Sequence, residues 1–267
     1  IDDGSCVYKG CIDPAADNYG GPGNTNGIFP YVTIDCGGCC IYTSSLVRIP
    51  DPQFRFALAV NVSGITFSDF VDNPMDTTTP GEWINVNKVN VITSVLVPSS
   101  SISDLTGIEY FTALQILDCR SNSLTSLDLS QNTALTSVAC QDNLLTSLNL
   151  SNNPALDYLD CSMNQLASLD LSSSIILDAV YCHNNNLTSI DVSQNTVLNT
   201  LNIAMNYLTT LDVSVNTALH TLNCSNNNLT TLDVSTLSLL IFFSCGTNQL
   251  TSLDVSNNTN IMNLSCS

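Results

Sequence analysis

The amino-acid sequence predicts a mainly β solenoid with two parallel sheets, an N-terminal cap helix and a small disulfide-rich N-terminal module. Three observations lead there. From Leu114 onward a motif of 21 residues recurs with no insertion or deletion. Inside each unit the apolar residues alternate as L-x-L, the two-residue period of a strand with one buried face. Strong helix formers are scarce, with only five Lys+Arg and just Glu82 and Glu109 as glutamates among 267 residues.

The repeat reads L-x-x-L-x-C-x-x-N-x-L-T-S-L-D-L-S-x-N-T-A and restarts at Leu135, Leu156, Leu177, Leu198, Leu219, Leu240 and Ile261. A looser unit precedes it, from Ile92 to Ile108. Each unit holds two half-copies: Leu114, Leu117, Cys119 and Asn122 match Leu124, Leu127, Leu129 and Asn132. Each coil should therefore give one strand to each of two parallel sheets, and stacked coils share an interior that no single repeat could bury. Asn122, Asn143, Asn164, Asn185, Asn206, Asn227 and Asn248 form one unbroken column. Asparagine tolerates a left-handed turn, and its amide can bond the coil above or below.

Upstream, Asp51-Pro52 is a sound helix start, an N-cap followed by proline in the first turn, ahead of Phe54, Phe56 and Leu58. Three regions follow: 1–46, rich in Cys, Asp and Gly; 47–91, the cap; and 92–267, the solenoid, with regular repeats from 114. The first region carries Cys6, Cys11, Cys36, Cys39 and Cys40, all disulfide candidates. Dense Cys beside Gly, Asp and Pro is the pattern of a stapled secreted module. Five cysteines cannot all pair with one another, so one has a partner elsewhere or stays free. The chain opens inside a motif and stops inside a coil, so it reads as a piece of something longer.

The repeats resemble leucine-rich repeats, and their nested ten-plus-eleven form resembles the bacterial IRREKO type. The stretches from Ile49 to Phe54 and from Ile102 to Phe111 look like the N-terminal cap of secreted Bacteroidota repeat proteins. The segment from Gly10 to Tyr19 resembles a short extracellular repeat of the same group, closed by D-D-G-S-C as at Asp2 to Cys6; the next closure, Asp35 to Cys40, departs from that pattern. The resemblance implies a leucine-rich-repeat solenoid with a recognition role, secreted or on the cell surface. Asp76-Thr77-Thr78 resembles the short O-glycosylation motif of this group, which makes Thr77 the candidate.

The charge excludes several classes of function. Twenty-three Asp+Glu against five Lys+Arg leave a net charge of −18, which repels nucleic acid and anionic membranes. No apolar run reaches the roughly 18 residues of a membrane span. The two histidines, His183 and His220, sit at different repeat offsets, and neither a Ser/His/Asp set nor a phosphate loop is present, so no enzyme is expected. No cofactor is expected either, with Ca²⁺ the one left open. Its candidate ligands are Asp2, Asp3, Asp13 and Asp17, although the acidic spacing of an EF-hand is absent.

Seven cysteines recur in one repeat slot, which Ile203 fills in the fifth unit. A metal or redox stripe would not tolerate isoleucine, whereas a buried apolar slot does. Asp128, Asp170, Asp191, Asp212, Asp233 and Asp254 form an acidic column on the second half-repeat, each followed two residues later by Ser. Local Asp–Ser bonding, bridging Ca²⁺ and a ligand surface are the three readings. The outward positions of the first half-repeat instead vary from coil to coil, as a binding face requires. Asp118, Tyr158, Asp160, Tyr181, His183 and Phe242 are its candidate ligand-binding residues. Aromatics beside carboxylates suit a protein or a carbohydrate on a cell surface. The alternative is a subunit of a surface fibre, self-associating end to end through open strand edges.

Overall fold

The computed structural model describes residues 46–71 and 81–267. Cys6, Cys11, Cys36, Cys39, Cys40, Asp2, Asp3, Asp13, Asp17 and Thr77 lie outside the described residues. The described chain begins with strand β1 (Leu46–Arg48), helix α1 (Pro52–Asn61), strand β2 (Trp83–Asn85) and the short helix α2 (Val86–Val89). Strands β1 and β2 pair antiparallel, Val47 opposite Ile84. Helix α1 starts where Asp51-Pro52 predicts. The Asp51 Oδ1 accepts from the amides of Gln53 and Phe54 at 2.8 and 3.0 Å, filling donors that a helix start leaves open. Its buried face carries Phe54, Ala57 and Leu58, and Phe54 lies 6.5 Å from Phe111.

Nine strands then stack in chain order into one parallel sheet. They are β3 (Ser94–Leu96), β4 (Ile116–Asp118), β5 (Ser137–Ala139), β6 (Tyr158–Asp160), β7 (Ala179–Tyr181), β8 (Thr200–Asn202), β9 (Thr221–Asn223), β10 (Phe242–Ser244) and β11 (Asn263–Ser265). From β4 on, each residue faces the one 21 positions later, as Ile116 faces Ser137, so repeat and register are one fact. The central residues Leu117, Val138, Leu159, Val180, Leu201, Leu222 and Phe243 are buried, and one continuous core runs from Val47 to Cys245.

The expected second parallel sheet does not form: the described strands make only the nine-stranded sheet and the β1–β2 pair. The half-repeat that should have built it turns its polar groups on itself. The Asp128 Oδ1 accepts from the Ser130 amide at 2.9 Å, and Asp170, Asp191, Asp212, Asp233 and Asp254 repeat the bond. The same bond follows β6, where the Asp160 Oδ1 accepts from the Ser162 amide, so it does not by itself decide against a ladder. Stitching between coils passes instead to side chains. The Asn153 Nδ2 donates to the carbonyls of Leu129 and Asn132, and Asn195, Asn216 and Asn258 do the same in their coils, with Ser174 and Leu237 interrupting the column. The apolar L-x-L pattern therefore reports burial correctly in both halves but strand pairing in only one.

The main asparagine column works as a two-sided bolt. The Asn164 Oδ1 accepts from the Leu145 amide of the preceding coil at 2.9 Å, while its Nδ2 donates to the carbonyls of Cys140 and Cys161 at 3.0 and 3.2 Å. The left-handed turn, however, does not fall on these asparagines. It falls on the residue before each: Ser121, Asp142, Met163, Asn184, Met205, Asn226 and Thr247, with φ between 53° and 57°. The asparagine is kept for its amide, and its neighbour absorbs the turn.

Met163 and Met205 pay for that turn without the local hydrogen bonding that lets Asn or Asp visit it, at a cost of roughly 1–2 kcal/mol. Met205 is about half exposed, so little packing would be lost by replacing it. Met205→Asn, which copies Asn184 and Asn226, should stabilise the protein by about 0.5–1 kcal/mol, raising Tm by ~2 °C in thermal melts. An unchanged or lower Tm would show that the methionine packs better than its exposure suggests.

Candidate functional site

The outward face of the nine-stranded sheet is built by the residues on either side of each buried central position. Tyr158 begins β6 and Tyr181 ends β7, so the two rings come from neighbouring coils and lie 5.9 Å apart, tilted by 46°. In the sheet register Tyr158 sits between Ser137 and Ala179, and Tyr181 between Asp160 and Asn202. Small neighbours leave both rings standing above a low floor. The Asp160 Oδ1 accepts from the Ser162 hydroxyl at 2.6 Å and its amide at 3.1 Å. Asp118 meets Arg120 at 3.4 Å. Burial raises the Tyr158 phenol above its ordinary pKa, and the nearby Asp160 carboxylate adds to the effect.

The structure thus brings Tyr158, Asp160, Tyr181 and His183 onto two adjacent coils, with Asp118 three coils before Tyr181. Phe242 is half exposed on the same face but three coils beyond, roughly 14 Å at the strand spacing of about 4.8 Å. It stands apart from the patch. Two further residues belong to it: Gln141 and Ser162, in the same column as His183. The Gln141 Oε1 and the His183 Nδ1 are buried atoms with no hydrogen-bond partner among the described residues. The sequence shows these positions as outward and variable. That an atom there is buried and unpaired depends on neighbouring side chains, which periodicity does not report.

The other columns are structural. Cys119, Cys140, Cys161, Cys182, Cys224 and Cys245 are buried free thiols, and Ile203 is equally buried in their slot. Burial pushes the thiols of Cys140, Cys182 and Cys224 up to about 12, and that of Cys245 to about 11. Thiolate is the reactive form, so these six should resist iodoacetamide at pH 8 in the native protein, while exposed Cys266 is modified. Peptide mapping before and after guanidinium would decide it, and rapid native labelling of Cys161 would contradict the buried slot.

In the acidic column, hydrogen bonds from the Ser193 amide and hydroxyl hold Asp191 below the usual carboxylate range, outweighing the repulsion of Asp170 and Asp212. A shallow depression of about 240 Å³ lies between Asp170 and Asp191, lined by serines, Leu169, Ile190 and Gln194. Among the described residues no cluster of three or more His, Cys, Asp or Glu is placed to hold a metal ion. EDTA should leave the Tm unchanged; a fall would show that cations bridge the column.

The coil geometry, the single parallel sheet and the asparagine bolts together define a leucine-rich-repeat solenoid of about eight turns. Its relatives include internalins. Internalin J of Listeria monocytogenes serotype 4b is 46% identical over 52 residues, which cover 20% of this chain and 6% of that protein. The solved functional domain of that species' InlJ is 33% identical, spanning 83% of this chain and 57% of its own length, with a TM-score of 0.49. Internalin C2 of the same species superposes with a TM-score of 0.69 at 21% identity, over 82% of this chain and 94% of that one. The leucine-rich-repeat domain of APL1B gives 0.57 at 21% identity, over 74% and 64%. The chain thus spans only a small part of the curated relative it matches. No family model matches it. Among the described residues no helix is long and apolar enough to cross a membrane.

Proposed function

We propose that this chain is a non-catalytic recognition or adhesion module, secreted or displayed on a cell surface, that holds its ligand on the outward face of the nine-stranded sheet. One observation carries this reading: on a frame that repeats every 21 residues, the outward positions of the nine-stranded sheet vary from coil to coil while the Asp–Ser column of the other half-repeat stays nearly constant, and at β6–β7 they present two half-buried tyrosines beside a carboxylate. Pure scaffold gains nothing from such variation, whereas interfaces concentrate their energy in a few Tyr, Trp and Arg anchors. The likeness to internalins, and a cysteine-dense first segment of the kind stapled in oxidising surroundings, favour a place outside the cell.

The test is binding of the purified protein to host and bacterial cells and to a glycan array, with Tyr158→Ala/Tyr181→Ala alongside. Both rings point away from the core, so the variant should fold. Loss of about 2 kcal/mol of binding energy, roughly 30-fold in affinity, is expected. Equal binding by the double variant would sink the site. Retained binding at a distant sheet position such as Phe242 would move it.

A further inference from the structure

The rings and the carboxylate of the tyrosine patch share one chemical preference. Asp160 presents a carboxylate at the foot of Tyr181, its register neighbour. The Gln141 Oε1 is an acceptor with no donor among the described residues, and the His183 Nδ1 is a second acceptor whenever the ring carries its proton on Nε2. Both atoms are closed to solvent, so they mark the crowding beneath the patch rather than points of contact. Tyrosine faces attract cations, most strongly planar guanidinium groups. The nearest cation on this face, Arg120, is engaged with Asp118 at 3.4 Å. The chain's net charge of −18 draws basic partners at a distance. A neutral sugar offers hydroxyls but no charge, and so leaves the carboxylate and the ring faces under-used.

We infer that the patch of Tyr158, Tyr181 and Asp160 grips a basic side chain, above all arginine, presented by an extended segment of a protein partner. This rests on the recognition reading above and names what the site reads. The carboxylate and the two ring faces take the charge.

A dodecapeptide of alternating arginine and glycine is the probe, compared by fluorescence anisotropy in 150 mM NaCl with the same peptide carrying citrulline for arginine. Citrulline keeps the planar donors but loses the charge. The arginine peptide should bind at least about tenfold more tightly. Asp160→Asn should remove most of that difference without harming the fold, since Asn202 and Asn223 fill the same slot in other coils and accept the same local bonds. Asp191→Asn/Asp212→Asn, on the other half-repeat, should change the affinity less than twofold. Equal binding of the citrulline peptide, no binding of the arginine peptide, or equal losses from the two sets of variants would each overturn the inference. A natural ligand that needs Tyr158 and Tyr181 but ignores Asp160→Asn and 0.5 M NaCl would also overturn it while leaving the recognition reading intact.

Discussion

Replacing Asn185 by aspartate should destabilise the protein by about 4 kcal/mol, more than replacing it by alanine, and the hydrogen-bond ledger says why. The Asn185 Oδ1 accepts from the buried Leu166 amide at 2.9 Å, and its Nδ2 donates to the carbonyls of Cys161 and Cys182 at 3.0 and 3.1 Å. Those carbonyls are not left bare by the change. Cys161 O also accepts from Asn164, and Cys182 O from Asn206, because each such carbonyl serves the bolt of its own coil and that of the next. The Leu166 amide has no such second partner. Alanine therefore costs chiefly one unsatisfied buried N–H and a small void, about 2–3 kcal/mol. Aspartate keeps that bond but turns a carboxylate oxygen toward two carbonyls in a site only 5% exposed. It must stay ionised and repelled, or protonate at a cost that grows with pH. Urea denaturation at pH 5 and pH 8 separates the two variants. Asn185→Asp should lose further stability at the higher pH and Asn185→Ala should not, and equal effects at both would refute the orientation of the amide. Because solenoid coils touch only their neighbours, either change should also split unfolding between the halves flanking the fourth coil.

The same ledger shows what a reader of the bare sequence could and could not recover. The unbroken asparagine column, the strict period and the buried cysteine slot were all legible, since each is enforced at every turn by the same local demand. Ile203 in place of a cysteine was enough to separate core from metal ligand. The number of sheets was not legible. Leu124, Leu127 and Leu129 carry the same apolar alternation as Leu114, Leu117 and Cys119, yet only the set around Leu117 lies in a ladder. Nor does composition reveal which residue holds the left-handed turn: Met163 and Met205 hold it as surely as Asn184 does, because their backbones are fixed by the coils on either side. At the candidate site, Tyr158, Asp160, Tyr181 and His183 could be placed together by counting in units of 21. Gln141 falls in the same column by that count, but its buried, unpaired Oε1 arises from three-dimensional crowding that the count does not report.

The cap should depend on one carboxylate in the same way that the coils depend on their asparagines. The Asp51 Oδ1 caps α1, while its Oδ2 accepts from the amide and hydroxyl of Ser103 and the amide of Asp104 at 2.8–3.0 Å. One buried side chain thus ties the helix to the coil it covers, helped by Arg55, which donates to the carbonyls of Ile49 and Pro50. Asp51→Asn is nearly isosteric, yet its amide nitrogen would meet the donors of Ser103 and Asp104. About 2–3 kcal/mol of cap stability should be lost. The effect should be local: faster hydrogen exchange in α1 and at Phe54, with little change beyond the third coil. Burial alone would raise the Asp51 pKa, but the hydrogen bonds from Ser103, Phe54 and Asp104 hold it below the ordinary carboxylate range. A group depressed in the folded state contributes stability that is full above the unfolded value of about 3.9 and fades as the pH falls through the folded value. Exchange in α1 of the native protein should therefore quicken below about pH 4, and that steepening should be much weaker in Asp51→Asn. If both proteins quicken alike, Asp51 is not the source of the cap's acid response.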